Sequence, residues 1–190
     1  RGNPKMTPDL YGEQKEREAK AAAAVLGADV RFGPWRDGEI PDDEEARRWT
    51  TTVIREVRPT LVITHWKKSM HKDHGITSAV VRDAVLLASL EGVAPGTAVW
   101  RGVRSVWFAE NWEDAESFAP FVYADVTGAV TAWREAVTKY EFVRGGISSF
   151  AYLDYYSALF TLRGAESRKG QAVAFDIEPY GKRRVVDDVP

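Results

Sequence analysis

The chain has 190 residues, a length that fits about one domain. Its 26 Lys and Arg against 28 Asp and Glu leave a net charge of −2 and a pI near 6.0, which argues against a dedicated nucleic-acid binder. The 44% hydrophobic and 28% charged composition is that of a folded protein, and the zero Cys count excludes disulfides, thiolate metal sites and a cysteine nucleophile.

Two prolines and a glycine make residues 1–9 read as a loop. The opening Arg1-Gly2-Asn3-Pro4 reads as the middle of one, so residues ahead of Arg1 are expected. Gly12 to Leu26 is rich in Ala, Glu and Lys and predicts a helix stopped at Gly27. Asp29 to Phe32 reads as a short strand, followed by a turn at Asp37-Gly38. Asp42 can cap the next helix, whose apolar spacing runs through Ala46, Trp49, Val53 and Val57 to Pro59.

Thr60-Leu61-Val62-Ile63-Thr64-His65 is the clearest buried strand. A polar loop follows, then a helix through Ile76, Val80, Ala84 and Leu87 to about Leu90. Val103–Phe108 and Phe121–Val126 read as strands, Val130 to Tyr140 as a helix, Phe150–Leu162 as an aromatic helix and Ala172–Ile177 as a last strand. Strands separated by helices imply an α/β fold: a Rossmann-like, mostly parallel sheet flanked by helices, with a mixed C-terminal half. Sites in such sheets gather where the strands end, and the segment after His65 is such a place. No apolar run approaches the roughly 20 residues of a membrane helix and no signal-peptide pattern is present, so a cytoplasmic protein is expected.

The chain has 3 His, at 65, 71 and 74. His71-Lys72-Asp73-His74 leaves the buried strand and opens the next helix. Imidazole is a common zinc ligand and a nearby carboxylate orients it, but zinc needs three protein ligands and this motif supplies at most two. The alternative is a polar loop in solvent. His65 ends the strand, either beside the site or as a hydrogen-bonded structural residue. Arg163 either binds substrate or pairs with Glu166. Trp107, Phe108, Trp112 and Phe118 read as core before they read as a sugar platform. Tyr152, Tyr155 and Tyr156 could line a pocket or form a homo-oligomer face. Lys182-Arg183-Arg184 is a short basic tail.

The segment Arg58–His65 followed by His71-Lys72-Asp73-His74 resembles the second motif of the LmbE/PIG-L-like N-acetylglucosamine deacetylase superfamily. Glu18–Gly27, Asp37-Gly38-Glu39-Ile40 and Arg163-Gly164 with Ala172-Val173-Ala174-Phe175 are similar to its further stretches, with Val173 where the family has an acid. The resemblance implies a zinc-dependent hydrolase that removes an N-acetyl group from an amino sugar or glycoside. His74 would be a ligand to zinc or another divalent metal. A protonated His71 would stabilise the oxyanion or act as general acid, supported by Asp73, and Arg163 would contact substrate. The family's His-Pro-Asp-Asp-Glu motif is absent and would fall ahead of Arg1; Pro41-Asp42-Asp43-Glu44 reads as a helix cap instead. Residues 1–190 are therefore expected to be one deacetylase-like domain without its first strand and first metal motif, binding zinc poorly alone. The other readings are a catalytically silent sugar- or partner-binding relative, and a metal-dependent hydrolase of another amide or ester.

Overall fold

The computed structural model describes residues 5–114, 116–146 and 148–183. Arg184 and the first four residues lie outside them, with the expectations placed on them. The chain divides into two compact units, residues 1–38 with 123–173 and residues 39–122 with 174–190.

In the first unit, helix α1 (Pro8–Leu26) starts earlier than the loop expectation for residues 1–9 allowed. Thr7 caps it by accepting from the Leu10 N–H, and Pro8 sits where a missing donor costs nothing. Gly27 ends it in the left-handed region at φ 63, where glycine pays no Cβ penalty. Glu18, buried in α1, accepts from Gln14 at 2.8 Å, Lys15 at 2.7 Å and the Glu141 N–H at 3.0 Å. Burial alone would raise its pKa; the three donors hold it below the usual carboxylate value instead. The same bonds tie α1 to the turn that follows α4 (Val130–Val137).

Asp29–Phe32 is not a strand. Val30 and Phe32 are exposed, and among the described residues no ladder pairs with this segment. A β-propensity run stays irregular without a partner strand. Helix α5 (Tyr152–Ser167) carries the aromatic series, and Tyr152, Phe150, Tyr155 and Tyr156 pack edge-on or tilted against one another in turn. A Cβ on Gly164 would meet the Gly170 carbonyl at 2.6 Å, so only glycine lets α5 pass this close to the start of the last strand.

The second unit holds α2 (Glu44–Val57), β1 (Leu61–His65), α3 (Lys72–Ala88) and β2 (Ser105–Ala109). Asp43, one residue beyond the expected Asp42, caps α2 through the Ala46 N–H at 2.9 Å. Asp42 pairs with Arg47 instead. Strands β3 (Val122–Asp125) and β4 (Ala172–Ile177) complete a mixed sheet in the order β1-β2-β4-β3. Among the described residues the parallel pairing is β1 with β2, while β2 and β4 run antiparallel. Trp66, Val106 and Phe108 are buried together under Phe118, and Ile54, Ala84 and Ala88 fill the layer between α2 and α3. Phe108 is thus core, and Phe118 packs half-buried against it. No described helix is long and apolar enough to cross a membrane.

Arg55 of α2 is 5% exposed. Its guanidinium donates to the carbonyls of Leu87, Ala88, Leu90, Val93, Ala94 and Thr97. These are the last carbonyls of α3 and the turn beyond it, where the helix dipole is negative and donors are missing. Arg55→Met should lower stability by about 3 kcal/mol in chemical denaturation, because buried acceptors lose their donor. Lys at 55 should restore only part, since one ammonium cannot reproduce the fork.

Candidate active site

Parallel register sets the site. Leu61 lies opposite Ser105 and His65 opposite Ala109, so the loops after β1 and β2 leave the same end of the sheet. Trp66, 2% exposed, donates its Nε1–H to the Glu116 carbonyl at 2.9 Å, and Lys68 pairs with the Glu116 carboxylate at 2.7 Å. The two loops are stitched together there.

All three histidines meet at this end. The His65 and His74 rings stack at 4.0 Å and 2°, and His71 lies against His74 at 4.5 Å and 26°. His71 is the N-cap of α3. Its Nδ1 accepts the Asp73 N–H at 3.2 Å, so the ring's proton sits on Nε2. With Nδ1 engaged in that bond, the donor His71 has left to offer is Nε2–H. Asp73, 4% exposed, holds His71 through its backbone N–H, and its charge also acts on His74.

The loop after β2 brings in two acids that the sequence reading missed. Glu113 Oε2 lies 3.4 Å from His74 Nδ1, and Ser69 Oγ is 3.2 Å from the same nitrogen. Asp114 is 2% exposed. Burial raises its pKa, offset in part by the Ser69 hydroxyl. By strict geometry neither Asp114 oxygen has a hydrogen-bond partner among the described residues, so the Ser69 contact is a loose one. Their position after the strand beside β1 was the available signal.

Burial lowers the His74 pKa, and the charges of Glu113, Asp114 and Asp73 oppose that. Burial, with His74 and His71 alongside, pushes His65 down to about 4. Among the described residues no three His, Asp or Glu side chains converge as a metal ion needs. His74 with Glu113 falls short of the three protein ligands usual for catalytic zinc. Arg163 lies in α5 of the first unit, where its Nη1 meets both Glu166 oxygens at 3.0 and 2.8 Å. That is the ion pair anticipated as the alternative to substrate contact. A cavity of about 530 Å³ lined by Arg82, Trp100, Arg101, Glu178 and Tyr180 involves none of the histidines.

Residues 1–85, which contain the whole histidine set, match the family model PIG-L, GlcNAc-PI de-N-acetylase. The resemblance is to the PIG-L family. Over 169 residues the PIG-L-like chain is 24% identical to 4-oxalmesaconate hydratase of Pseudomonas putida, covering 88% of itself and 63% of the hydratase. It thus spans less than two thirds of that relative's length. A conserved protein from Thermus thermophilus superposes with TM-score 0.77 at 25% identity over 97% of this chain and 80% of its own. A 4-carboxy-2-hydroxymuconate hydratase from Pseudomonas putida gives TM-score 0.79 at 22% identity over 99% and 79%. An N,N'-diacetylchitobiose deacetylase from Pyrococcus horikoshii gives TM-score 0.69 at 16% identity over 88% and 64%. The last two likenesses are of fold. The two hydratases and the deacetylase are enzymes.

The histidine stack should make stability depend on pH. The unfolded His65 titrates near 6.5 and the folded one near 4, so the unfolded chain binds the extra proton between those values. The contribution, up to about 3 kcal/mol, is full above the unfolded pKa and is lost as pH falls through the folded one. Urea denaturation should show this loss, and His65→Asn should remove most of it; an unchanged acid limb would contradict the stacked geometry. Zinc at about a hundred times its Kd stabilises a site by roughly 2.7 kcal/mol. The described donors predict no such rise in Tm on adding ZnCl2. A rise lost in His74→Ala would reveal further ligands.

Proposed function

We propose that this protein is an amide hydrolase that removes an acetyl group from an N-acetylated amino sugar or glycoside. The observation that carries the reading is His71 pinned as a helix cap with its Nε2–H left to donate, stacked on His74 at the outlet of β1. The match of residues 1–85 to a de-N-acetylase model supports it. Attack of water on an amide carbonyl puts charge on the oxygen, and a fixed N–H donor stabilises that charge without reorganising. His74, in the middle of the stack, offers its other ring nitrogen beside the reacting carbon, as base or ligand. Burial lowers the basicity of His74, which keeps a ring lone pair available at pH 7.

A second reading has its own support: the 24% identity to a hydratase over 88% of the chain. Hydration of an activated carbon–carbon double bond uses the same pair, one nitrogen to take a proton from water and one N–H to steady the enolate oxygen.

Acetate release from an N-acetylglucosaminyl glycoside is the test. The protein should release acetate, and His71→Ala should lower kcat about 100-fold with KM little changed, as expected for a lost oxyanion donor. Release that persists unchanged in both His71→Ala and His74→Ala ends the assignment. Loss of ultraviolet absorbance from an unsaturated oxo-diacid, with no acetate formed, selects the hydratase reading.

A further inference from the structure

The geometry points to a second binding site, for a small monoanion with an apolar body such as an aryl carboxylate, at the end of the sheet away from the histidines. Parallel pairing puts His65 and Ala109 at one end, so Ser105, where β2 begins, marks the other, about 13 Å away along the strand. Antiparallel pairing sets Ile177 opposite Trp107, so β4 delivers Glu178 to that far end as well. The cavity of about 530 Å³ opens there, and a lobe of about 200 Å³ adjoins it. The two share Val85, Val103, Val106, Glu178 and Tyr180, all within the second unit. Their size is that of a small-molecule site. Nothing in this site depends on the hydrolytic reading above.

Trp100 makes a rigid wall. Its Nε1–H donates to the Pro59 carbonyl at 2.7 Å, and the Arg58 guanidinium lies over its ring at 4.7 Å. A Cβ on Gly102 would meet the ring at 2.1 Å, so only glycine lets the indole fold back on its own chain. Leu86 and Tyr180 are 63% and 67% exposed beside the cavity, and a bound apolar ring would cover both. Charge then selects the sign of the ligand. Arg82, Arg101 and Arg104 line the two lobes together with Asp83 and Glu178. Both carboxylates are committed, Asp83 to Arg47 at 2.8 Å and Glu178, 8% exposed, to Arg82. Among the described residues Arg101 meets Glu91 at 3.6 Å between two exposed side chains, and Arg104 pairs with no carboxylate. The uncommitted charge is positive, so an anion is attracted and a cation repelled. The apolar walls take the ring, and the guanidiniums at the mouth take the carboxylate.

Isothermal titration calorimetry on the full chain tests the site without turnover. The probes are naphthalene-2-carboxylate and, as its cationic counterpart, 2-naphthylmethylammonium. The carboxylate should bind one to one with a Kd on the order of 0.1 mM. The ammonium should bind about ten-fold more weakly or not at all. Arg101→Gln combined with Arg104→Gln should weaken the carboxylate about five- to thirty-fold. Leu86→Trp fills the cavity with a larger side chain and should abolish binding. Both variants change exposed side chains, so neither depends on rebuilding the core. His71→Ala should bind the carboxylate as the wild type does. Equal binding of the two probes overturns the proposal, as does an absence of heat with the carboxylate at millimolar concentration. So does wild-type affinity in either cavity variant. Binding lost in His71→Ala and kept in Leu86→Trp also overturns it, by placing the probe at the histidine end.

Discussion

The parallel ladder between β1 and β2 is the constraint on which the site depends. It places His65 opposite Ala109, so two loops separated by more than thirty residues in sequence start side by side. A slip of one residue would turn Trp66 out of the core and carry the histidine loop to the other face. The Trp66 bond to the Glu116 carbonyl then locks the loops a second time, beyond the ladder. The first loop brings imidazoles and the second brings carboxyls. Neither has a site's worth of groups by itself.

Electrostatics explains why that mixture is stable. Three imidazoles in contact repel once charged, and burial already disfavours charging His65 and His74. Glu113 and Asp114 oppose this at His74, but the carboxyls also repel each other, and burial raises Asp114. The compromise is a neutral ring at His65 and at His74. Such a site has its dipoles set before a substrate arrives, which is the property that makes a buried hydrogen-bond donor effective in catalysis. Arg55 shows the same economy elsewhere: a buried cation satisfied by backbone carbonyls and the Thr97 hydroxyl.

Much of the fold was legible because local signals and tertiary demands agreed. Ala172–Ile177 forms the expected strand to the residue, and the strand ending at His65 stands out as a β-branched run between Pro59 and polar residues. Asp29–Phe32 failed because propensity names a residue's preference and a strand needs a neighbour. The start of α1 was missed because Pro8 was read as a breaker, though at a first helical turn it is a starter. In the site, His71, Asp73 and His74 could be singled out since rare residue types cluster in one loop. Glu113 and Asp114 carried only the signal of following the strand beside β1: acids are common, and it is the β1–β2 register that makes these two neighbours of an imidazole. Arg163 illustrates the converse, a residue with an attractive motif whose guanidinium is engaged by Glu166 one helical turn away.

A fold shared by a deacetylase and by hydratases is intelligible from what this end of the sheet contains. Both reactions start by deprotonating water next to an electrophilic carbon, and both leave negative charge on an oxygen conjugated to it. A nitrogen lone pair and an N–H, held a ring's thickness apart, serve either case. The difference lies in what happens next. Amide cleavage must deliver a proton to a departing nitrogen, whereas hydration returns one to carbon and expels nothing. In the proposed reaction the proton for the departing nitrogen would be the one His74 takes from water, since a neutral His71 that gave up Nε2–H would be left an imidazolate. The cap of His71 on the Asp73 N–H would keep its Nε2–H on the oxygen meanwhile, so the helix start that positions His71 also fixes its role.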